Sequence, residues 1–190
     1  MSQYDPDRYH RRSIRLKGYD YAQAGAYFVT LCTQERACLF GEVVDGEMRL
    51  DAGRQIVRQC WAEIPIHFPR VALDAFVVMP NHVHGIIILT DDMKVGARHA
   101  EVGARHAVPQ QTERFGQPVA GSIPTVIRSL KSAVAYRLNA LRGTPDTPVW
   151  QRNYYEHIIR NERALIAIRA YILKNPIQWA VDCENPQRRV

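Results

Sequence analysis

Two histidines one residue apart are the feature of this sequence that most directly suggests chemistry. His82 and His84 flank Val83 inside the apolar stretch 76–89. Side chains alternate between the two faces of a β-strand, so both imidazoles share one face and Val83 can enter a core on the other. Two imidazoles on a rigid strand suit a metal site or a proton-transfer pair. The alternative is that both are half-buried polar residues on a solvated sheet face.

Hydrophobic periodicity and turn residues predict the elements that must position these histidines. We expect strands at 26–33 and, in one or two segments, at 71–89. A hairpin is expected at 39–50 around Asp45-Gly46. Helices are expected at 51–64, 122–139 and 161–175. Paired strands combined with long helices predict an α+β fold built on an antiparallel sheet.

The remaining segments read as connections and extensions of one domain spanning residues 1–190. The hexapeptide VGARHA occurs twice, at 95–100 and 102–107, within a stretch that lacks helix or strand periodicity. We therefore predict a mobile insertion loop at 91–121. Residues 177–190 are predicted to form a basic C-terminal tail.

Composition and charge exclude or disfavour several classes of protein function. Lys and Arg number 25 against 19 Asp and Glu, so the net charge of +6 permits a polyanionic partner without proving one. No apolar run reaches the roughly 18 residues that a membrane span needs. The four cysteines form no CxxC pair, which disfavours a cysteine zinc site. The polar N-terminal stretch is unlike a signal peptide, so we expect a cytoplasmic protein that does not bind membranes.

Five blocks of the sequence carry a family resemblance. They are YFVTLCTQER (27–36), MPNHVHGIIIL (79–89), SIPTVIRSLKSAV (122–134), VWQRNYYEHIIRNE (149–162) and YILKNPIQW (171–179). In order and spacing they resemble the REP-associated tyrosine transposases, bacterial members of the single-tyrosine HUH transposases, over about residues 10–180. The resemblance implies a ferredoxin-like HUH nuclease fold.

The resemblance also implies a chemistry. In this family two histidines and a third polar ligand hold a divalent cation, expected here to be Mg²⁺ or Mn²⁺. A helix-borne tyrosine then attacks the scissile phosphate of single-stranded DNA and leaves a 5′-phosphotyrosine and a free 3′-hydroxyl. His82 and His84 match the two histidines of the family motif.

Tyr171 and Asn175 match the nucleophile and the third ligand of the family. Their four-residue spacing puts both side chains on one face of a helix. Tyr154 and Tyr155 stay open as alternatives, with Tyr155 as runner-up, although neither has a residue that can bind a metal four positions later.

The implied partner is single-stranded hairpin DNA of the REP type. The basic residues predicted to contact it are Arg11, Arg12, Arg15, Lys17, Arg128 and Lys131. A solvated charged face is the alternative for each cluster. We expect a monomer, and a dimer with exchanged helices is not excluded. Two rival functions remain open: a hairpin-binding regulator that does not cleave DNA, and a metallohydrolase acting on small phosphoesters.

Overall fold

The secondary structure comes from a computed structural model, which describes residues 19–49, 51–91 and 119–188. The strands are β1 (Gly25–Cys32), β2 (Val43–Val44), β3 (Glu47–Met48), β4 (Val71–Val78), β5 (His82–Leu89) and β6 (Tyr155–Ile159). The α-helices are α1 (Ala52–Ala62), α2 (Ile64–His67), α3 (Ile123–Arg142) and α4 (Glu162–Lys174). Short 3-10 helices occupy Gln34–Arg36 and Pro176–Val181.

Four strands form one antiparallel sheet in the order β4-β5-β1-β6. β1 is central and pairs with β5 on one side and β6 on the other, so Thr30 lies opposite both His84 and Tyr155. β2 and β3 form a separate two-stranded hairpin. The predicted α+β fold with an antiparallel sheet is confirmed.

The sheet separates two hydrophobic cores. The larger core packs α1 and α3 on one face and includes Val83. The smaller core lies under α4 on the other face and includes Phe28, Ile86 and Ile172. Because strand side chains alternate, the face of β5 opposite Val83 is the face covered by α4.

Local sequence signals set the helix ends. The Asp51 carboxylate accepts a 2.7 Å hydrogen bond from the Arg54 backbone N–H at the start of α1. The Asn161 side chain caps α4 in the same way, at 2.8 Å from the Ala164 N–H. α3 ends at Gly143, whose left-handed conformation (φ +63°) favours glycine. The three predicted helices are therefore present, with ends shifted by one to three residues.

Gly85 permits a close approach between β5 and α1. A Cβ atom at this position would lie 2.4 Å from the Trp61 ring, well inside contact distance. Trp61 stacks on Phe76 with ring centroids 4.4 Å apart and planes 8° apart. Glycine next to His84 thus lets an aromatic pair pack directly against the backbone of the histidine strand.

Several predicted features lie outside the described residues. They include Arg11, Arg12, Arg15 and Lys17, and the repeat at 95–107. Within 19–49, 51–91 and 119–188, no helix combines the length and the apolarity that crossing a bilayer requires.

Candidate active site

A two-residue turn, Pro80-Asn81, delivers His82 to the start of β5. Val78 pairs with Val83, and the Met79 N–H donates to the His82 carbonyl at 2.8 Å. The Asn81 carbonyl accepts from both the N–H and the hydroxyl of Thr33, at 2.8 and 3.0 Å. Every one of these groups is buried, so the turn is rigid and the direction of the His82 side chain is fixed.

Both imidazoles lie on the α4 face of the sheet, with ring centroids 4.5 Å apart. His82 Nδ1 is 2.9 Å from Asn81 Oδ1, and His84 Nδ1 is 2.8 Å from Thr30 Oγ1. Burial lowers the pKa of both rings, and for His84 the neighbouring His82 adds to the effect. Both histidines are therefore neutral at pH 7 and fully buried, rather than half-exposed on a solvated face.

α4 brings Tyr171 to this pair. Leu165 and Ile172 anchor the helix on the sheet, which leaves Tyr171 at the border of the core with 42% of its surface exposed. The Tyr171 hydroxyl lies 3.2 Å from His84 Nε2. Burial raises the pKa of Tyr171, and the negative charge of Asp182 raises it further. The phenol is consequently neutral and reachable from solvent.

Asn175 ends α4 and is buried beside the histidines. Its amide nitrogen is 3.4 Å from Asp182 Oδ2, whereas its Oδ1 has no hydrogen-bond partner among the described residues. The amide also lies close enough to His82 and Tyr171 to oppose part of the pKa shift that burial imposes on each. A buried oxygen without a partner costs about 1–3 kcal/mol, so this atom is ready for a ligand.

Asp182 joins the site and was missed by the sequence analysis. One ligand atom from each of His82, His84 and Asp182 lies within 4.8 Å of the other two. His82 Nε2 is also buried without a hydrogen-bond partner in the described part of the chain. Two imidazole nitrogens, a carboxylate oxygen and the Asn175 amide oxygen form a donor set that fits a divalent cation.

Asp182 is held in place by the residues that follow it. Glu184 pairs with Arg36 at 3.1 Å, and the Arg36 guanidinium donates to the Cys183 carbonyl at 3.2 Å. The Glu184 carbonyl accepts from Asn81 Nδ2 at 2.7 Å. The segment predicted as a basic tail therefore contains a folded portion whose acidic residues complete the candidate site.

The two alternative tyrosines lie elsewhere. Tyr154 packs against the larger core, with the Lys131 ammonium 5.6 Å from its ring centroid. Tyr155 is exposed on β6, and its ring centroid is 6.2 Å from that of Phe28. Of the three tyrosines, the structure brings Tyr171 into hydrogen-bond distance of a histidine.

The two described basic residues of the DNA prediction lie on α3, across the sheet from α4. Arg128 is exposed. Lys131 turns inward, where its ammonium donates to the carbonyls of Gln151, Arg152 and Asn153 at 2.8, 3.4 and 3.1 Å. Burial lowers the pKa of Lys131 to about 8. A DNA contact by Lys131 requires these internal bonds to break, whereas Arg128 is available as it stands.

Sequence comparison finds two curated proteins similar to this chain. An uncharacterized Haemophilus influenzae protein is 40% identical over 184 residues, which are 95% of this chain and 96% of that protein. A second H. influenzae protein, named "Putative REP-associated tyrosine transposase", is 21% identical over 162 residues, 84% of this chain and 74% of that one. Over 84% of its length the chain is therefore similar in sequence to a REP-associated tyrosine transposase. No protein-family model matches it.

Comparison with solved structures shows a shared fold. A solved REP-associated tyrosine transposase, bound to a REP hairpin, superposes with a TM-score of 0.51 at 21% identity, covering 94% of this chain and 74% of that one. The family resemblance drawn from the five sequence blocks is thus confirmed, as is the fold class.

Proposed function

We propose that this chain is a metal-dependent, site-specific endonuclease and strand transferase for single-stranded hairpin DNA, with Tyr171 as its nucleophile. The observation that carries the proposal is the meeting of Tyr171 Oη and His84 Nε2, 3.2 Å apart, beside two buried donor atoms that have no hydrogen-bond partner among the described residues. A nucleophile next to a set of buried metal-donor atoms is an arrangement suited to phosphodiester attack.

Four side chains supply the ligand atoms in this proposal. His82 and His84 offer Nε2, Asp182 offers a carboxylate oxygen, and Asn175 offers its amide oxygen in the role of the third family ligand. A bound Mg²⁺ or Mn²⁺ supplies Lewis-acid charge that stabilises the phosphate in the transition state and favours the phenolate. Nitrogen ligands favour Mn²⁺ over Mg²⁺.

Tyr171 carries out the covalent step. Its oxygen loses the phenol proton and forms a bond to phosphorus while the bond from phosphorus to the 3′-oxygen breaks, and the 3′-oxygen gains one proton and leaves as a hydroxyl. The product is a 5′-phosphotyrosine. The Tyr171 hydroxyl lies 3.2 Å from His84 Nε2, so the phenol sits beside the residues that would hold the cation.

The DNA partner is proposed from the family and from charge. The solved relative that shares this fold is bound to a REP hairpin. Exposed Arg128, and Arg11, Arg12, Arg15 and Lys17 outside the described residues, are the proposed phosphate contacts, so affinity is expected to fall as salt rises.

Covalent capture tests the proposal. Hairpin oligonucleotides with randomised single-stranded flanks are incubated with the protein and Mn²⁺ and run on a denaturing gel. We expect a protein–DNA adduct with the wild type, none with Tyr171→Phe, and a normal amount with the matched control Tyr155→Phe. His82→Ala is expected to reduce the rate at least about a hundredfold.

Each rival function gives a different result. An adduct in Tyr171→Phe refutes the assignment of the nucleophile. Nicking without an adduct indicates a metallohydrolase, and hairpin binding without nicking indicates a regulator that does not cleave DNA.

A further inference from the structure

Asn81 joins three segments at the candidate site. Its side-chain nitrogen is 3.1 Å from the Arg36 carbonyl and 2.7 Å from the Glu184 carbonyl. Its side-chain oxygen is 2.9 Å from His82 Nδ1. The residue is fully buried, so water does not compete for any of these bonds.

The two carbonyls determine how the Asn81 amide is oriented. A carbonyl oxygen only accepts hydrogen bonds, so both must face the NH₂ group, whose two hydrogens are then used. The amide oxygen is left facing His82 Nδ1, and this oxygen also only accepts. Nδ1 must therefore carry the proton, and in a neutral imidazole Nε2 is then a bare lone pair.

We propose that Asn81 is a positioning residue that fixes the tautomer of His82 and couples it to the segment carrying Asp182. Nε2, which Asn81 leaves unprotonated, is the buried His82 nitrogen without a partner in the described chain. The same amide holds the Glu184 carbonyl two residues beyond Asp182. One side chain thus prepares a nitrogen donor and a carboxylate donor together.

The link to metal binding rests on the proposed function, whereas the tautomer does not. An outer residue that orients a ligating imidazole typically contributes 10–100-fold to metal affinity. We therefore expect Asn81→Ala to weaken Mn²⁺ binding by about that factor.

Histidine NMR tests the tautomer in the metal-free protein. Long-range ¹⁵N–¹H correlation spectra at neutral pH, with His82 assigned by its loss in His82→Gln, distinguish a protonated Nδ1 from a protonated Nε2. We expect Nδ1–H for His82 in the wild type and in Asn81→Asp, which keeps an acceptor oxygen. Asn81→Ala is expected to shift His82 toward Nε2–H.

A matched control separates positioning from stability. Thr125→Val removes a hydroxyl that donates to the Val119 carbonyl at the start of α3, across the sheet from the site, and leaves the bond from Asn81 to His82 intact. It should retain the Nδ1–H tautomer and a Mn²⁺ affinity, measured by electron paramagnetic resonance, within about twofold of wild type.

Two results overturn the proposal. One is Nε2–H at His82 in the wild type, which needs no variant. The other is an unchanged tautomer and Mn²⁺ affinity in Asn81→Ala. A wild type that shows Nδ1–H but binds no Mn²⁺ refutes the proposed metal dependence and leaves the tautomer assignment supported.

Discussion

Replacing Asp74 by Asn is expected to loosen α4, the helix that carries Tyr171. Asp74 lies where the register of β4 shifts, between Leu73 and Phe76. Its two carboxylate oxygens accept from Arg169 Nε and Nη2, at 2.9 and 2.5 Å. Arg169 precedes Tyr171 by two residues, so this bidentate ion pair ties α4 to the outer strand of the sheet.

Burial sets the size of the effect. Removing one partner of a fully buried ion pair costs about 3–5 kcal/mol, and an exposed pair contributes about 0–1 kcal/mol. The Asp74 side chain is 15% exposed but that of Arg169 is 40% exposed, so solvent screens the pair and can hydrate the arginine left behind. We expect Asp74→Asn to lower the free energy of unfolding by about 1–2 kcal/mol, and Tm by about 2–4 °C per kcal/mol.

The stability lost in Asp74→Asn should be larger at neutral pH than at acidic pH. The hydrogen bond from Arg169 is the main cause that lowers the pKa of Asp74 in the folded protein. A lowered carboxyl pKa contributes stability above the unfolded pKa of about 4, and this stability is lost as pH falls through the folded pKa. The difference in urea unfolding between the variant and wild type should therefore be larger at pH 7 than at pH 3.

Glu63→Gln provides a comparison at a more exposed ion pair, with Arg137, away from α4. We expect a smaller loss of stability and no change in the proposed DNA cleavage. A difference between Asp74→Asn and wild type that is equal at both pH values, or absent at pH 7, would refute the reasoning.

Three further substitutions test the surrounding structure. Gly85→Ala should lower the free energy of unfolding by about 1–3 kcal/mol, because its Cβ meets the buried Trp61 ring; denaturant unfolding at wild-type stability would contradict this. Asp182→Asn should weaken Mn²⁺ binding at least about tenfold by titration calorimetry, and unchanged affinity would remove Asp182 from the ligand set. Lys131→Met leaves the carbonyls of residues 151–153 without the Lys131 donor, which should loosen this segment and let trypsin cut faster after Arg152. An equal rate of cleavage would show that Lys131 does not hold the segment in place.

Hydrophobic and helical periodicity predicted which residues of the candidate site share a face of their strand or helix. The alternation along β5 put His82 and His84 on one face, and the helical spacing put Tyr171 one turn from Asn175. These rules act within one element, so they needed no knowledge of the tertiary structure. The prediction that β5 and α4 face each other came from the family resemblance, because neither pattern contains that information.

The parts that sequence reasoning missed depend on contacts between distant segments. Asp182 follows a 3-10 helix and has no periodic neighbours that would place it. Lys131 turns inward because it donates to carbonyls about 20 residues away in the sequence. The helical pattern of α3 does not reveal these carbonyls, and it places Lys131 on the polar side of the helix, where solvent exposure is expected. β6 was not predicted as a strand, because at the sheet edge its Tyr155 and His157 are exposed and the hydrophobic signal is short.

The residues of the candidate site come from segments far apart in the sequence, and this determines when during protein synthesis the site can form. Thr30 and His84, which share a hydrogen bond, are 54 positions apart, and Asn81 and Glu184 are 103 apart. Closing such long loops costs entropy that is recovered only when the contacts form. On a ribosome, a nascent chain that has not yet emerged as far as residue 182 lacks both the Asp182 carboxylate and the Glu184 carbonyl that anchors its segment. The proposed cleavage activity therefore arises after synthesis of nearly the whole fold, and a partly made chain is not a partly active nuclease.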